Sequence, residues 1–134
     1  MLFRSRALTA RARSLLELAG IAAHAQAPAN ELPIGGQKLL EIVRALMARP
    51  KVMLLDEPAA GLNDAETAEL AALLRAVRAS GVTVLVVEHN MSLVMGVADQ
   101  VIVLDAGSIV ASGTPAEIQR NPRVVEAYVG QDLL

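Results

Sequence analysis

The chain has no cysteine and no tryptophan, one phenylalanine, one tyrosine and two histidines among its 134 residues. Each shortage removes a class of function. Without cysteine there is neither a disulfide framework nor a thiolate metal site, a usage that suits a reducing compartment. Two histidines cannot build a metal centre alone. With so few aromatic rings, the bases of a nucleic acid find almost nothing to stack on, and a formal net charge of -2 adds no attraction for a polyanion. Nucleic acid is therefore not an expected partner. Hydrophobic residues make up 54% of the chain and the mean hydropathy is +0.45, yet the most apolar stretch, Val82 to Val87, falls far short of a bilayer span. An oily chain without a span predicts a buried sheet. Its length fits one small domain or a piece of a larger one.

The first sixteen residues carry Arg4, Arg6, Arg11 and Arg13 and no acid. That pattern allows an organellar transit peptide, but Leu15, Leu16 and Leu18 continue it as an amphipathic helix with a solvated basic face. No long apolar segment of a secretory signal follows. "HAQAPANELP", His24 to Pro33, reads as a loop, and Gln37 to Ala48 place Leu39, Leu40, Ile42, Val43, Leu46 and Met47 at helical spacing until Arg49-Pro50. A strand over Val52 to Leu55 comes next. Asn63 with Glu66 three residues on predicts a capping box, and Leu70, Leu73, Leu74 and Val77 an inward stripe ending at Gly81. The apolar run that opens "VTVLVVEHN", Val82 to Asn90, predicts a strand buried on both faces. A short helix over Met91 to Val97, a hairpin around Asp105-Ala106-Gly107, and a helix opened by Thr114, Pro115 and Glu117 complete the pattern. Alternating strands and helices predict a three-layer α/β domain, whose ligands gather beyond the carboxyl ends of its strands.

Both notable polar clusters, Asp56-Glu57 and Glu88-His89, stand at such ends. In "KVMLLDEPAAGLN", four apolar residues run straight into two acids and a proline. Phosphoryl transfer to water needs a metal to neutralise phosphate charge, a group to position the water, and donors aimed at the phosphate. Asp56 suits the metal, Glu57 the water, and His89 a terminal phosphate. The plainer readings are a solvated strand end for the acids and a hydrogen-bonded loop histidine for His89. "LPIGGQ", Leu32 to Gln37, sets two glycines before a helix, where backbone N–H groups meet an anion or simply make a turn.

In order and spacing these residues resemble the ATP-binding subunit of an ABC transporter, from its signature motif onward. The matching elements are Leu32 to Gly36, "IVRAL" at Ile42 to Leu46, "VMLLDEP" at Val52 to Pro58, "AGLN" at Ala60 to Asn63, and His89. "LLDEPAAGLN" and the closing "GTPAEI" and "NPRVVEAYVG" are most similar to cassettes of branched-chain amino acid importers. ABC ATPases of DNA repair share the same logic, but the acidic balance and this tail set the chain apart. The resemblance implies an α/β, three-layer, P-loop NTPase-like cassette in part: a C-terminal half with mainly parallel strands, flanking helices and a C-terminal hairpin. It implies Asp56 as the Walker B aspartate that supports Mg2+, Glu57 as the catalytic glutamate and His89 as the switch histidine at the γ-phosphate. Pro33, Ile34, Gly35, Gly36 and Gln37 become the signature that contacts ATP, and Asn63 the D-loop residue at a dimer interface, where many cassettes carry Asp. Counting back from "IVRAL", Pro33 takes the place of the usual Ser and Gly36 that of the Gln, so phosphate contact rests chiefly on the backbone of Gly35 and Gly36. Leu39 replaces a commonly polar residue.

No GxxxxGK followed by Ser or Thr occurs in the chain, and the 31 residues before Leu32 are too few for that loop, an adenine-stacking aromatic and a Q-loop. The expected layout is a remnant of the helical subdomain over 1–31, the signature, Walker B, D-loop and switch part over 32–113, and a helical tail over 114–134. The parent activity implied is ATP hydrolysis powering import of branched-chain amino acids or a similar solute. Its partners would be membrane permease subunits and a second ATP-binding cassette subunit, on the cytoplasmic face of the cell membrane. The chain by itself is expected to be inactive. A fragment of an importer ATPase, half of a split cassette completed by another chain, and a non-catalytic interaction or regulatory module all fit the missing loop.

Overall fold

The structure is a computed structural model that describes residues 5–129. Arg4 of the basic run and residues 130–134 of the tail lie outside the described residues. The chain divides into two compact units, Met1–His89 and Asn90–Leu134.

In the first unit, α1 (Arg6–Leu18) and two single-turn 3-10 segments lead to α2 (Ile34–Met47), β1 (Val52–Asp56), α3 (Asp64–Ala79) and β2 (Thr83–Val87). The two strands are parallel neighbours, with Leu54 opposite Leu85 and Asp56 opposite Val87. A right-handed helical crossover is what joins parallel strands, and α3 supplies the helix. Its Leu70, Leu73, Leu74 and Val77 are buried as the spacing requires. The helix starts at the predicted box: Asn63 Oδ1 accepts from the Glu66 N–H at 2.9 Å, and Glu66 Oε2 accepts from the Asn63 N–H at 3.0 Å. α2 buries Leu39, Ile42, Val43 and Leu46 and packs on α3, so Leu39 sits at a core position.

Three expectations change. First, α2 begins at Ile34, three residues before Gln37, and the Gln37 N–H donates to the Pro33 carbonyl at 2.9 Å. Gly35 and Gly36 therefore lie inside the first helical turn. Second, the basic face of α1 is only partly solvated. Arg6 and Arg13 are exposed, but Arg11 turns inward and its Nη2 donates to the Leu46 carbonyl at 2.6 Å. A cation there complements the carbonyl end of α2. Third, β2 is not buried on both faces. Met53 is buried, and Leu55, Val84 and Val86 are partly buried on the face that α3 packs against, whereas Val52, Leu54, Leu85 and Val87 are 57–71% exposed on the other. A continuous apolar strand needs two covering layers, and the described residues provide one.

The second unit holds α4 (Met91–Val97), the antiparallel pair β3 (Val101–Asp105) and β4 (Ser108–Gly113), α5 (Pro115–Arg120) and α6 (Pro122–Val129). Ala106 and Gly107 both have positive φ, as a tight hairpin turn demands. Thr114 and Glu117 form the second predicted capping box. Val101, Val103 and Ala111 face Ile118 and Val124 in a small core, while Ile102, Leu104 and Ile109 stay exposed on the hairpin's outer face. No helix among the described residues is long and apolar enough to cross a membrane.

Candidate active site

The ladder between β1 and β2 continues one residue past Asp56, since the Glu57 N–H donates to the Val87 carbonyl at 2.8 Å. The chain then breaks sharply. Glu57 adopts φ 44°, a left-handed conformation that costs an L-residue about 1–2 kcal/mol. Such strain persists where its surroundings enforce it and points to function. Here the ladder bond fixes one side, and Pro58 and Ala59, both buried, fix the other. The Ala60 N–H then donates to the Glu57 carbonyl at 3.1 Å, and the Leu62 N–H to the Ala59 carbonyl at 3.1 Å. These turns carry the chain to Asn63 and the start of α3.

The bend throws the Glu57 side chain toward the exit of β2. Its Oε1 lies 3.4 Å from His89 Nδ1, with the two side chains 53% and 75% exposed. So open a pair contributes little to stability and weakens in salt, and both groups stay accessible from solvent. Asp56 is exposed and belongs, by strand alternation, to the uncovered face of Val52 and Leu54. Mg2+ takes one or two carboxylates and fills its octahedron with water and phosphate oxygens. A single exposed Asp with a neighbouring Glu fits that demand, whereas no group of three or more His, Cys, Asp or Glu suited to a metal occurs among the described residues.

Leu32 to Gln37 are positioned by α2. Ile34, Gly35 and Gly36 form the first turn of α2, where helix N–H groups lack intrahelical acceptors and attract anions. Pro33, just before it, supplies no N–H, and Gln37 Nε2 is turned back onto the Leu32 carbonyl at 2.8 Å. The segment meets the Asn63 end of the loop through Glu66. A Cβ on Gly35 would lie 2.8 Å from Glu66 Oε1 and 2.9 Å from its Cγ, and Glu66 is already held by the capping box. Gly35→Ala is expected to lower stability by about 1 kcal/mol, overpacking outweighing the helix preference of Ala. In a Glu66→Ala background the same change should cost nothing. Equal costs by urea denaturation in both backgrounds would sink the contact.

Two residues of the site were not assigned from the sequence. The local pattern around Glu66 predicts only a cap. In the sequence Glu88 is only part of a strand-end cluster, yet its Oε1 accepts from the Ala59 N–H at 2.8 Å, across twenty-nine residues. An acid ending an apolar strand was its one local signal.

Known proteins resemble the chain over most of its length. The family described as "ABC transporter" matches residues 3–60, and that described as "Branched-chain amino acid ATP-binding cassette transporter" matches residues 108–133. The chain is 45% identical over 122 residues to the high-affinity branched-chain amino acid transport ATP-binding protein LivG of Salmonella typhimurium, covering 90% of this chain and 48% of LivG. It is 45% identical over 117 residues to BraF of Pseudomonas aeruginosa, a protein of the same description, covering 87% and 46%. Among solved structures, an ATP-binding cassette of an ABC transporter in its ADP conformation superposes with a TM-score of 0.84 at 30% identity, over 97% of this chain and 53% of that one. CbiO1 of Clostridium perfringens, part of an ABC transporter complex, gives a TM-score of 0.81 at 27% identity, over 98% and 54%. The chain thus spans about half the length of the relatives it matches. Motif order, fold and similarity agree, and the chain belongs to the ATP-binding cassette family of ABC transporters.

Proposed function

We propose that this chain is the C-terminal, catalytic-acid part of an ATPase that powers import of branched-chain amino acids or a similar solute. It would act with membrane permease subunits and a second cassette subunit on the cytoplasmic face of the membrane. LivG and BraF carry that transport in their names. Residues 1–31 would end the helical subdomain, 32–113 would carry the signature, Walker B, D-loop and switch, and 114–134 would form the tail.

The observation that carries this reading is the position of Asp56. It ends the uncovered sheet face of Val52, Leu54, Leu85 and Val87, so whatever layer covers that face also approaches Asp56. A P-loop segment on that layer would bring bound phosphates beside the carboxylate. Asp56 would then hold Mg2+, whose charge neutralises phosphate oxygens. Glu57, projected by its left-handed backbone, orients the attacking water and receives its proton. His89, within 3.4 Å of Glu57, hydrogen-bonds the terminal phosphate and holds the water's geometry. The first turn of α2, Ile34 to Gly36, with Pro33 capping it and Gln37 behind it, offers backbone donors to a nucleotide held by a facing subunit. Asn63 lies on the loop leading to that interface.

The test pairs the 134-residue chain with a separately produced N-terminal half of a LivG relative containing the P-loop. Neither part alone should release phosphate from ATP, whereas the pair should. Turnover by the chain alone, or a stable pair without turnover, would overturn the reading.

A further inference from the structure

We propose that Glu88 is a positioning residue that locks the Ala59–Asn63 loop to the backbone of His89, so that the interface loop and the phosphate-sensing histidine move as one. The proposal rests on the roles given above to His89 and Asn63, and none of the sequence motifs assigns Glu88 a part. Its carboxylate straddles two chain segments that leave adjacent strands. Oε1 accepts from the Ala59 N–H at 2.8 Å, and Oε2 accepts from the His89 N–H at 3.1 Å.

Geometry makes this bridge specific. Glu88 directly follows β2 and is half-buried, and Ala59 is 8% exposed. A buried backbone N–H needs an acceptor, and a carboxylate is a stronger one than a neutral oxygen. Other bonds within the loop are local: Ala60 to Glu57 and Leu62 to Ala59. These shape the turns but do not tie the loop to β2. Glu88 supplies that link on the far side of the strained Glu57. A shift of His89 toward a phosphate therefore drags Ala59, and with it the loop ending at Asn63. Conversely, a contact made at Asn63 biases where His89 sits.

The test compares the full chain with Glu88→Gln and Glu88→Ala. Gln keeps a side-chain oxygen for the Ala59 N–H, and Ala does not. By amide hydrogen exchange, Ala59 should be protected in the parent, lose protection at least tenfold in Glu88→Ala and keep most of it in Glu88→Gln, with the α3 amides unchanged as a control for global stability. Identical Ala59 exchange in all three overturns the tether. In the chain paired with an N-terminal half, Glu88→Ala should lower kcat at least tenfold with KM for ATP within twofold, and Glu88→Gln should recover most of it. Lost protection with unchanged kcat makes Glu88 a structural brace and overturns its positioning role. A parent pair without turnover overturns the functional reading instead, because the exchange measurement needs no nucleotide.

Discussion

In a completed cassette, Glu57→Gln is expected to lower ATP turnover by about a hundredfold to ten-thousandfold, the range of a lost general base, while nucleotide-driven association persists. Gln has the shape and length of Glu but cannot take a proton from water at neutral pH. Its backbone demand is the same, so the φ of 44° at this position and the bond from residue 57 to the Val87 carbonyl are kept. The pairing with His89 is weakened, but both side chains are more than half exposed, and such pairs contribute at most about 1 kcal/mol. Asp56 and the first turn of α2 are untouched, so nucleotide should still draw two cassettes together. Phosphate release and sedimentation of the paired halves read the two effects separately. Unchanged turnover refutes Glu57 as the base, and loss of association with it would mean that the side chain braces the interface.

How much of this arrangement was legible beforehand followed the range of the forces involved. Asn63 with Glu66 and Thr114 with Glu117 were readable because a capping box is closed within four residues. So was the stripe from Leu70 to Val77, because helical periodicity is local. The start of α2 was misplaced by three residues because Gly35 and Gly36 look like turn formers. Gly35 belongs in the helix because a side chain there would collide with Glu66 on α3, a contact that only the tertiary fold creates. The Glu88 to Ala59 bond was hidden for the same reason. Burial of β2 failed differently. An apolar run states what a strand can bury, not what is available to cover it, and on the side of Leu54 and Leu85 the described residues supply nothing.

That uncovered side carries the second large effect. Leu54 and Leu85 are register partners, 71% and 58% exposed, flanked by Val52 and Val87 at 57% each. The strands make a sheet of two, leaving an open edge on each among the described residues. An apolar face beside open edges favours association. If the P-loop half supplies the covering layer, each Leu gains about 1.5–3 kcal/mol on burial. Replacing both by Thr, which keeps a strand-forming branched side chain, should then weaken binding of that half by about two to four orders of magnitude. The chain's own stability should move by less than about 0.5 kcal/mol, since exposed positions carry little of it, and its self-association should fall. Titration calorimetry against the N-terminal half, with sedimentation of the chain alone, separates these outcomes. Undiminished binding by the double variant would mean that the second layer packs elsewhere. Asp56, at the end of the same face, would then lose its route to the phosphates.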